Sequence, residues 1–537
     1  MKKIIFLLVL PVLCGCGDAG TFEKNWHRWM QVRRAASQEI AAGQVRSGEY
    51  LLALANGEME QNLSKARVAE LLDKDMDSIK LLGQVFDPEA GSRQQVVSLK
   101  GVTSEDLHRW DILALLSYAE PNWLSQQHER GDYEGFKLAH ETSLISDDFP
   151  YLGMISLEEA FVSLGDTPIN EEGPIIAILD SGVDVKHPAL QGKFYENPAF
   201  QSDTKCPGDL QGCDATKGDR ENFGHGVGVP FSLQAFGQAC RWNSDRSNCQ
   251  HGTIIAGMIA ADPTPGSLIA PGICPGCRIL PVKVVEESGR GRGQVADESI
   301  MNALGYLIEL KRKGVPIKVV NASYGKYRMS RTVSLKIKEL VELGDGVIFV
   351  AAAGNENSSK PQFPAALDSV LGVANIQPSG AGFSGNARRH KTSNYGAWVS
   401  IAAPGSDICS TVPGGGSNCG GRYKGSGEVS GTSFSAPVVA AVAGLVYQRQ
   451  PGFTAKQVRS VILESVIPIK RGKLELMGRV DAARAVGGLV IPNLESESKR
   501  IKRGCAVLGD ARFSHIGWLL LLLPLMVPAR VRSSRDI

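Results

Sequence analysis

The sequence predicts an α/β fold in which a mainly parallel sheet is buried between helices, and three segments carry this prediction. Residues 173–180, GPIIAILD, form a short apolar run rich in β-branched residues that ends on Asp180. Such a run is typical of a central parallel strand that is buried on both faces. Two later segments, CQHGTIIAG at 249–257 and SGTSFSAP at 430–437, open stretches of small apolar residues. Each stretch predicts a buried helix.

The same segments supply three residue types that work together in nucleophilic catalysis. Asp180 is expected at the carboxyl end of its strand, where ligand sites of open α/β sheets lie. We expect His251 to begin its helix, and Ser433 to stand at the start of a helix that tolerates Pro437 in its first turn. A serine hydroxyl becomes a nucleophile when an imidazole takes its proton, and a carboxylate must orient that imidazole. Ser433 is therefore the predicted nucleophile, His251 the general base and then acid, and Asp180 the orienting residue.

Taken singly, each residue has an ordinary interpretation as a cap or a satisfied polar group. As an ordered set they resemble the subtilisin-like serine peptidases (subtilases), in which the three residues follow in the order Asp, His, Ser. The resemblance spans Phe149 to Gly487 and implies, for residues 149–487, a three-layer subtilisin-like fold and a serine endopeptidase that needs no cofactor for its chemistry. Other matching stretches are HPAL (187–190), GCRILPVKVV (276–285), TSNYG (392–396) and IAAPG (401–405).

Two more segments of the family pattern predict how a substrate is held. In VIFVAAAGNENSS (347–359), the resemblance implies that the Asn355 side chain donates to the oxyanion of the tetrahedral intermediate. The alternative is that Asn355 merely tolerates a left-handed turn after Gly354. Ser323, Tyr324 and Gly325 match the family segment that pairs with the substrate backbone, where an extended peptide adds as a strand. Gly354 is the fourth predicted substrate-binding residue.

Residues 45–124 resemble the small α+β propeptide of subtilases. EYLLALA, QQVVSLKG and LLSYAEPN predict strands, and SKARVAELLDK and TSEDLHRWD predict helices. The resemblance implies that this domain precedes the catalytic domain as its intramolecular inhibitor and folding template, and a free-standing binding domain is the alternative. The polar residues 125–148 are expected to form the linker and processing zone.

The N-terminus predicts export. MKKIIFLLVLPVLCGC joins two lysines to an apolar run that is too short to span a membrane, so residues 1–15 read as a signal peptide. The run LCGC resembles a bacterial lipobox, which makes Cys16 the predicted lipidation site, and an ordinary signal peptide is the alternative. We therefore expect the bacterial cell envelope, at the outer membrane or cell surface, or the extracellular space.

Cysteine usage agrees with an oxidising compartment. Eight cysteines fall into close pairs that predict local disulfides: Cys206 and Cys213, Cys240 and Cys249, Cys274 and Cys277, Cys409 and Cys419. A redox or half-zinc role for CPGC at 274–277 is disfavoured, because the motif precedes a strand and has no second CxxC.

Two stretches depart from the family pattern: the insertion 195–249, and AADPTPGSLIAPG (260–272), which lacks the amide-rich loop that many relatives use to bind calcium. Residues 195–249 are a long Cys-rich insertion whose acids leave structural calcium open but unsupported, and no metal site is predicted. After the polar linker 488–515, the apolar tail 516–537 ends in arginines and resembles bacterial sorting tails, with a hydrophobic hairpin as the alternative.

The overall charge excludes one class of partner. A formal net charge of +2 gives no basic excess for binding nucleic acid. We therefore expect an exported serine endopeptidase that acts on polypeptides, is autoactivated by propeptide removal, and is tied to the membrane by the lipid anchor and the C-terminal tail. One alternative is a catalytically silent, binding lipoprotein of the envelope on a subtilase fold, and a narrower one is a processing protease with a single partner.

Overall fold

In the computed structural model, the chain divides into two compact units, residues 1–490 and 491–537, and every described residue lies in the first. The predictions for residues 1–15, Cys16, 488–515 and 516–537 fall outside the described residues. The described residues are 45–54, 75–87, 92–101, 116–127, 149–164, 173–198, 206, 210–216, 247–262, 269–286, 294–378, 387–419, 429–469 and 478–487.

The N-terminal domain contributes four antiparallel strands, which pair in the order β2-β3-β1-β4. Strands β1, β3 and β4 confirm the predicted strands, whereas the two predicted helices, 64–74 and 103–111, lie outside the described residues. A 3-10 turn, Met76–Ser78, precedes the second strand. The strands are β1 (Val45–Leu54), β2 (Ile79–Asp87), β3 (Ser92–Lys100) and β4 (Leu116–Gln127).

The sequence analysis missed β2, and a β-bulge explains why. The register with β3 shifts between Leu81 and Gly83, and Gly83 has a φ of 98°. Ile79, Leu82 and Val85, the buried apolar side chains of this strand, therefore recur every three residues. A bulge inserts one residue and breaks the alternation by which a strand is recognised in a sequence.

The remaining strands build the central sheet and a short two-stranded sheet, and they extend the N-terminal sheet. In chain order they are β5 (Ile175–Asp180), β6 (Cys213–Asp214), β7 (Arg278–Lys283), β8 (Val285–Glu286), β9 (Gln294–Ala296), β10 (Ile317–Ala322), β11 (Tyr324–Gly325), β12 (Ile348–Ala352), β13 (Val370–Pro378), β14 (Ala387–Arg389), β15 (Ile401–Pro404), β16 (Thr411–Val412), β17 (Gly416–Ser417), β18 (Ile467–Pro468) and β19 (Gly478–Arg479).

The central sheet has ten strands, in the order β18-β19-β15-β13-β12-β10-β5-β7-β6, with β14 paired to β13. Neighbours from β19 to β6 are parallel. The helices are α1 (Pro150–Gly153), α2 (Leu157–Leu164), α3 (Ser247–Ala260), α4 (Asp297–Arg312), α5 (Arg331–Glu342), α6 (Thr432–Arg449), α7 (Ala455–Glu464) and α8 (Ala482–Gly487).

Helices cover both faces of this sheet. Ile176 and Ile178 of β5 pack in one apolar cluster with α3 and α6. Ile175, Ala177 and Leu179 of the same strand pack in a second cluster with α4 and α5. Successive side chains of a strand point to opposite faces, so the sheet is buried on both sides. The predicted three-layer α/β fold with a mainly parallel sheet is confirmed.

Two details of the predicted helices are corrected. α3 begins at Ser247, so His251 lies in its second turn rather than at its start. Pro437 lies in the second turn of α6 rather than in the first. α6 is buried along nearly its whole length, because its Ala and Val side chains pack on the sheet from every side. Among the described residues, the structure contains no helix with the length and apolarity needed to cross a bilayer.

Three of the predicted local disulfides are present: Cys206–Cys213, Cys274–Cys277 and Cys409–Cys419. The predicted partner of Cys249, Cys240, lies outside the described residues. Cys274 and Cys277 are buried against α6, where a Cβ added to Gly444 would lie 2.3 Å from the sulfur of Cys277. This disulfide therefore packs directly against α6, the helix that carries Ser433, and has a structural role there.

Candidate active site

Parallel strands bring the predicted site residues to one edge of the sheet. Asp180 is the last residue of β5, Ser323 follows the neighbouring β10, and Asn355 follows β12. The carboxyl ends of parallel strands share one edge, so these three residues lie near one another. α3 and α6 bring His251 and Ser433 to the same edge, as the contacts below show.

Asp180 orients His251. Both side chains are buried, and the imidazole Nδ1 lies 2.9 Å from each carboxylate oxygen of Asp180. The backbone N–H of Ser181 donates to Asp180 Oδ1 at 2.7 Å and fixes the carboxylate. A carboxylate accepts but does not donate, so Nδ1 carries the ring proton and Nε2 is the basic nitrogen.

Gly252 makes this approach possible. A Cβ at this position would lie 2.3 Å from the carbonyl oxygen of Gly182 and 3.2 Å from Asp180 Oδ1. Without a side chain, its backbone N–H donates to Ser181 Oγ at 3.2 Å. The loop after β5 is thereby locked against α3, and the His251–Asp180 distance is set by backbone contacts.

Ser433 is the second residue of α6 and is buried. The ring of the next residue, Phe434, lies 5.2 Å from the His251 imidazole, measured between ring centroids. The backbone carbonyl of Ser433 accepts a 2.8 Å hydrogen bond from Ser323 Oγ, which in turn accepts one of 3.1 Å from Asn321. These contacts place the residue after Ser433 beside the His251 ring and tie Ser433 to Ser323 of the predicted substrate-binding segment.

Asn355 is tied to the start of the same helix. Its Oδ1 accepts from the backbone N–H of Thr432 at 3.0 Å, and the Gly354 N–H donates to Thr432 Oγ1 at 3.0 Å. Because the amide oxygen is held there, the amide nitrogen is turned away from Thr432. The left-handed residue is Gly354, with a φ of 99°, whereas Asn355 has an ordinary negative φ. The alternative role for Asn355, tolerance of a left-handed turn, therefore loses its support.

Three polar side chains surround Gly354, and sequence reasoning did not assign them to the site. A Cβ on Gly354 would lie 2.5 Å from Asn394 Nδ2 and 2.5 Å from Gln362 Oε1. Asn394 and Gln362 each donate to Glu356 Oε2 at 2.7 Å. Glu356 follows Asn355 directly, and Asn394 lies in the TSNYG stretch. Both residues therefore lie in or beside segments whose sequence already matched the family pattern. Gln362 is brought in only by tertiary structure.

The last strand of the N-terminal domain, β4, lies between two strands that come later in the chain, β9 and β11. β4 is antiparallel to β9 on one side and to β11 on the other, so that Gln126 faces both Gln294 and Gly325. The predicted linker, 125–148, is corrected at its start, because residues 125–127 are strand. Pairing on both sides supplies the hydrogen bonds that keep these residues extended.

Tyr324 of β11 is buried and belongs to the second apolar cluster, which includes residues of α4 and α5. Burial, together with the carboxylates of Asp297 and Asp180, raises the pKa of its phenol far above the usual value of 10. The side chain is therefore neutral, and its contribution to the site is shape rather than charge.

Glu298, near the start of α4, is the main polar anchor for the N-terminal domain. It forms an ion pair with Lys80, and its Oε2 accepts from Ser98 Oγ at 3.0 Å. Its backbone N–H donates to Asn122 Oδ1 at 3.3 Å. Burial raises the pKa of Glu298, but the positive charges of Lys80 and Lys100 lower it more, so the net pKa is below the usual 4.5. The carboxylate is ionised at neutral pH and binds the domain through charge.

A second anchor lies on α5. Lys336 Nζ donates to the carbonyl oxygen of Gln84 in β2 at 2.7 Å, and Arg93 of β3 lies 3.3 Å from Glu339. Lys336 is buried, so its contact with Gln84 is shielded from water. The N-terminal domain therefore rests on both helices that cover this face of the central sheet. Within the described ranges, the structure gathers no group of three or more His, Cys, Asp or Glu residues that could hold a metal ion.

Comparisons with known proteins agree with this geometry. The family model described as "Subtilase family" matches residues 171–493. The chain is similar to the thermophilic serine proteinase of Bacillus sp. (strain AK1), 27% identical over 377 residues that cover 69% of this chain and 73% of that protein. It is also similar to thermitase of Thermoactinomyces vulgaris, 28% identical over 58% of this chain and 88% of that protein.

Two further likenesses cover less of the other protein. The extracellular basic protease of Dichelobacter nodosus is 30% identical over 52% of this chain and 44% of its own length. The crystal structure of fervidolysin from Fervidobacterium pennivorans, described as a keratinolytic enzyme related to subtilisin, superposes with a TM-score of 0.55 at 22% identity. That match covers 84% of this chain and 62% of fervidolysin, and it shows that the two share a fold.

Proposed function

The chain belongs to the subtilase family of serine peptidases, and on that premise we propose that it is an endopeptidase that cuts peptide bonds by acyl transfer to Ser433. The observation that carries the proposal is the buried imidazole of His251, held at 2.9 Å by both oxygens of Asp180 and packed on the residue after Ser433.

The chemistry assigns one step to each side chain. His251 Nε2 takes the hydroxyl proton as Ser433 Oγ attacks the substrate carbonyl carbon, and Asp180 stabilises the imidazolium that forms. Asn355 and the backbone N–H of Ser433 donate to the oxyanion. His251 then gives its proton to the leaving amine, and water repeats the cycle on the acyl-enzyme.

The N-terminal domain, residues 45–124 with the continuation of β4 to Gln127, is proposed to keep the enzyme latent. β4 already occupies the place between β9 and β11 where an extended substrate would add. Glu298, Lys336 and Glu339 hold the rest of the domain on the enzyme. Activity then requires two events. The active site cuts its own chain after β4, and the N-terminal domain then leaves.

The location is part of the proposal. The Dichelobacter relative is named as an extracellular protease, and three local disulfides fit an exported chain. We propose that residues 1–15 direct export, that lipidation of Cys16 anchors the protein to the envelope, and that the tail 516–537 adds a second membrane attachment. Polypeptides are the proposed substrates.

Labelling with a fluorophosphonate probe tests the proposal directly. Processed wild-type protein is expected to be labelled at Ser433, and Ser433→Ala to be neither labelled nor processed. Ser435→Ala is the matched control, because Ser435 lies two residues further along the same helix and its buried hydroxyl has no hydrogen-bond partner among the described residues. Processed protein that stays unlabelled would instead support a silent envelope binding lipoprotein.

A further inference from the structure

The place of the cut in the N-terminal region can be inferred from the strand register, if self-cleavage occurs as proposed above. On one side of β4, Ser125 is opposite Val295 and Gln126 is opposite Gln294 of β9. Ser125 is only 1% exposed. A slip by one residue would turn this buried side chain to the other face of the sheet, so the register is well specified.

The other side of β4 holds the same register. Gln126 is opposite Gly325, and Gln127 is opposite Tyr324. The two strands run antiparallel, so one step forward from Gln126 to Gln127 is one step back from Gly325 to Tyr324. Earlier in β4, Asn122 is tied to Glu298 by the Glu298 N–H at 3.3 Å. Three separate contacts thus fix how far the strand reaches along the cleft.

Ser323 relates this register to the nucleophile. It directly precedes Tyr324, and its Oγ donates to the backbone carbonyl of Ser433 at 2.8 Å. The position opposite Ser323 is therefore the one beside Ser433. The observed pairing of Gln127 with Tyr324 therefore ends one residue short of that position.

We infer that Gln126 and Gln127 are the third and second residues before the bond that this enzyme cuts in its own chain. By count along the sequence, the bond joins His128 to Glu129. Both of these residues lie outside the described residues, and only their places in the sequence enter the inference.

The reaction at this bond balances without any added reagent except water. Ser433 Oγ bonds to the carbonyl carbon of His128 while His251 takes the hydroxyl proton. The bond from that carbon to the nitrogen of Glu129 breaks, and the nitrogen receives the proton as a free amine. Water then splits the ester, which leaves a carboxylate on His128 and restores the Ser433 hydroxyl.

The test uses the full-length chain and intact-mass analysis of both fragments at the earliest time of processing, before either end is trimmed. Wild-type protein is expected to give one fragment that ends at His128 and one that begins at Glu129. Abutting ends at any other bond would overturn the inferred register. If Ser433→Ala remains uncut in that case, the proposed self-cleavage still stands.

Two variants separate strand register from recognition of a particular side chain. Inserting one alanine between Gln126 and Gln127 is expected to move the cut back by one residue, to the bond between Gln127 and His128, because the strand register is unchanged. Gln127→Ala, the control, is expected to leave the cut at its wild-type place. A cut that stays between His128 and Glu129 in the insertion variant would refute the inference. Normal processing of Ser433→Ala would refute self-cleavage, and the inference with it.

Discussion

The hydroxyl of Ser323 donates a 2.8 Å hydrogen bond to the backbone carbonyl of Ser433, at the position in α6 where Pro437 has no N–H to offer. In an α-helix, the carbonyl of residue 433 would accept from the N–H of residue 437. Proline lacks that donor and leaves the buried carbonyl without its helical partner. Ser323 supplies the missing bond, so the proposed substrate-binding segment and the proposed nucleophile are positioned by one contact.

This contact predicts a non-additive pair of substitutions. Ser323→Ala is expected to lower the free energy of unfolding by about 1–3 kcal/mol, because it leaves a buried acceptor unsatisfied. Pro437→Ala restores a backbone donor to that acceptor, so the double variant should recover part of the loss. Chemical denaturation of the four proteins in a Ser433→Ala background measures the coupling without autolysis. Strictly additive effects would contradict this account of Ser323.

Two substitutions of Asn355 separate its two contacts. Asn355→Asp keeps an oxygen to accept from Thr432 but removes the amide donors, so we expect kcat to fall by about 10²–10³ with little loss of stability. Asn355→Ala removes both contacts and should lower kcat and the melting temperature together. Steady-state kinetics and calorimetry provide the comparison. An aspartate variant with wild-type kcat would exclude Asn355 from the oxyanion site.

Gly252 is predicted to set the distance between Asp180 and His251. A methyl group in Gly252→Ala would lie 2.3 Å from the backbone carbonyl of Gly182, so α3 must move away from β5. The expected result is a destabilisation of about 1–3 kcal/mol. We also expect a fall in kcat, because the imidazole loses its orientation. Gly452→Ala is the matched control, since an added Cβ there meets no described atom within 4 Å, and it should change neither quantity.

Acid is expected to weaken the hold of the N-terminal domain through Glu298. The pKa of Glu298 in the complex is lowered below 4.5 by Lys80 and Lys100, against the upward effect of burial. A lowered pKa stabilises the complex at pH values above 4.5, and that stabilisation is lost as the pH falls through the lowered pKa. The cleaved but undissociated protein should therefore release its N-terminal domain faster in acid.

Glu298→Gln tests the same contact at neutral pH. A charge-assisted hydrogen bond contributes about 1.5–3 kcal/mol, so release of the domain from the cleaved complex should accelerate about 10- to 100-fold. The onset of activity after dilution measures the release rate. Glu309→Gln on the same helix is the control, since Glu309 pairs with Lys313 of its own helix. Equal acceleration by both variants would assign the effect to α4 as a whole.

Local sequence patterns predicted the parts of this site that depend on a single segment. The apolar run before Asp180 and the small residues after Ser433 determine a buried strand and a buried helix whatever else surrounds them. β2 was not predicted because the bulge at Gly83 removes the alternation of buried and exposed residues on which a strand prediction depends. The helix start at Ser247 was missed because the residues before His251 are polar.

Contacts between distant segments could not be read from the sequence. The pairing of β4 with β9 joins residues far apart in the chain, and the sequence of neither strand identifies the strand with which it pairs. Gln362 reaches Glu356 beside Gly354 only because the chain turns back there. Such contacts decide which residues lie side by side at this edge of the sheet, so the sequence predicted the strands and helices of the candidate site more completely than the contacts between them.

The placement of β4 between β9 and β11 sets the width of the opening that the proposed departure of the N-terminal domain would leave. Neighbouring strands lie about 4.8 Å apart, so the two exposed edges face each other across about 9.6 Å. A slot of that width admits one extended backbone, and an α-helix, about 10 Å or more across with its side chains, is too wide. Under the proposed mechanism, the free enzyme selects for local unfolding in its target before it selects for any side chain, and compact folded proteins are protected from it by their own secondary structure.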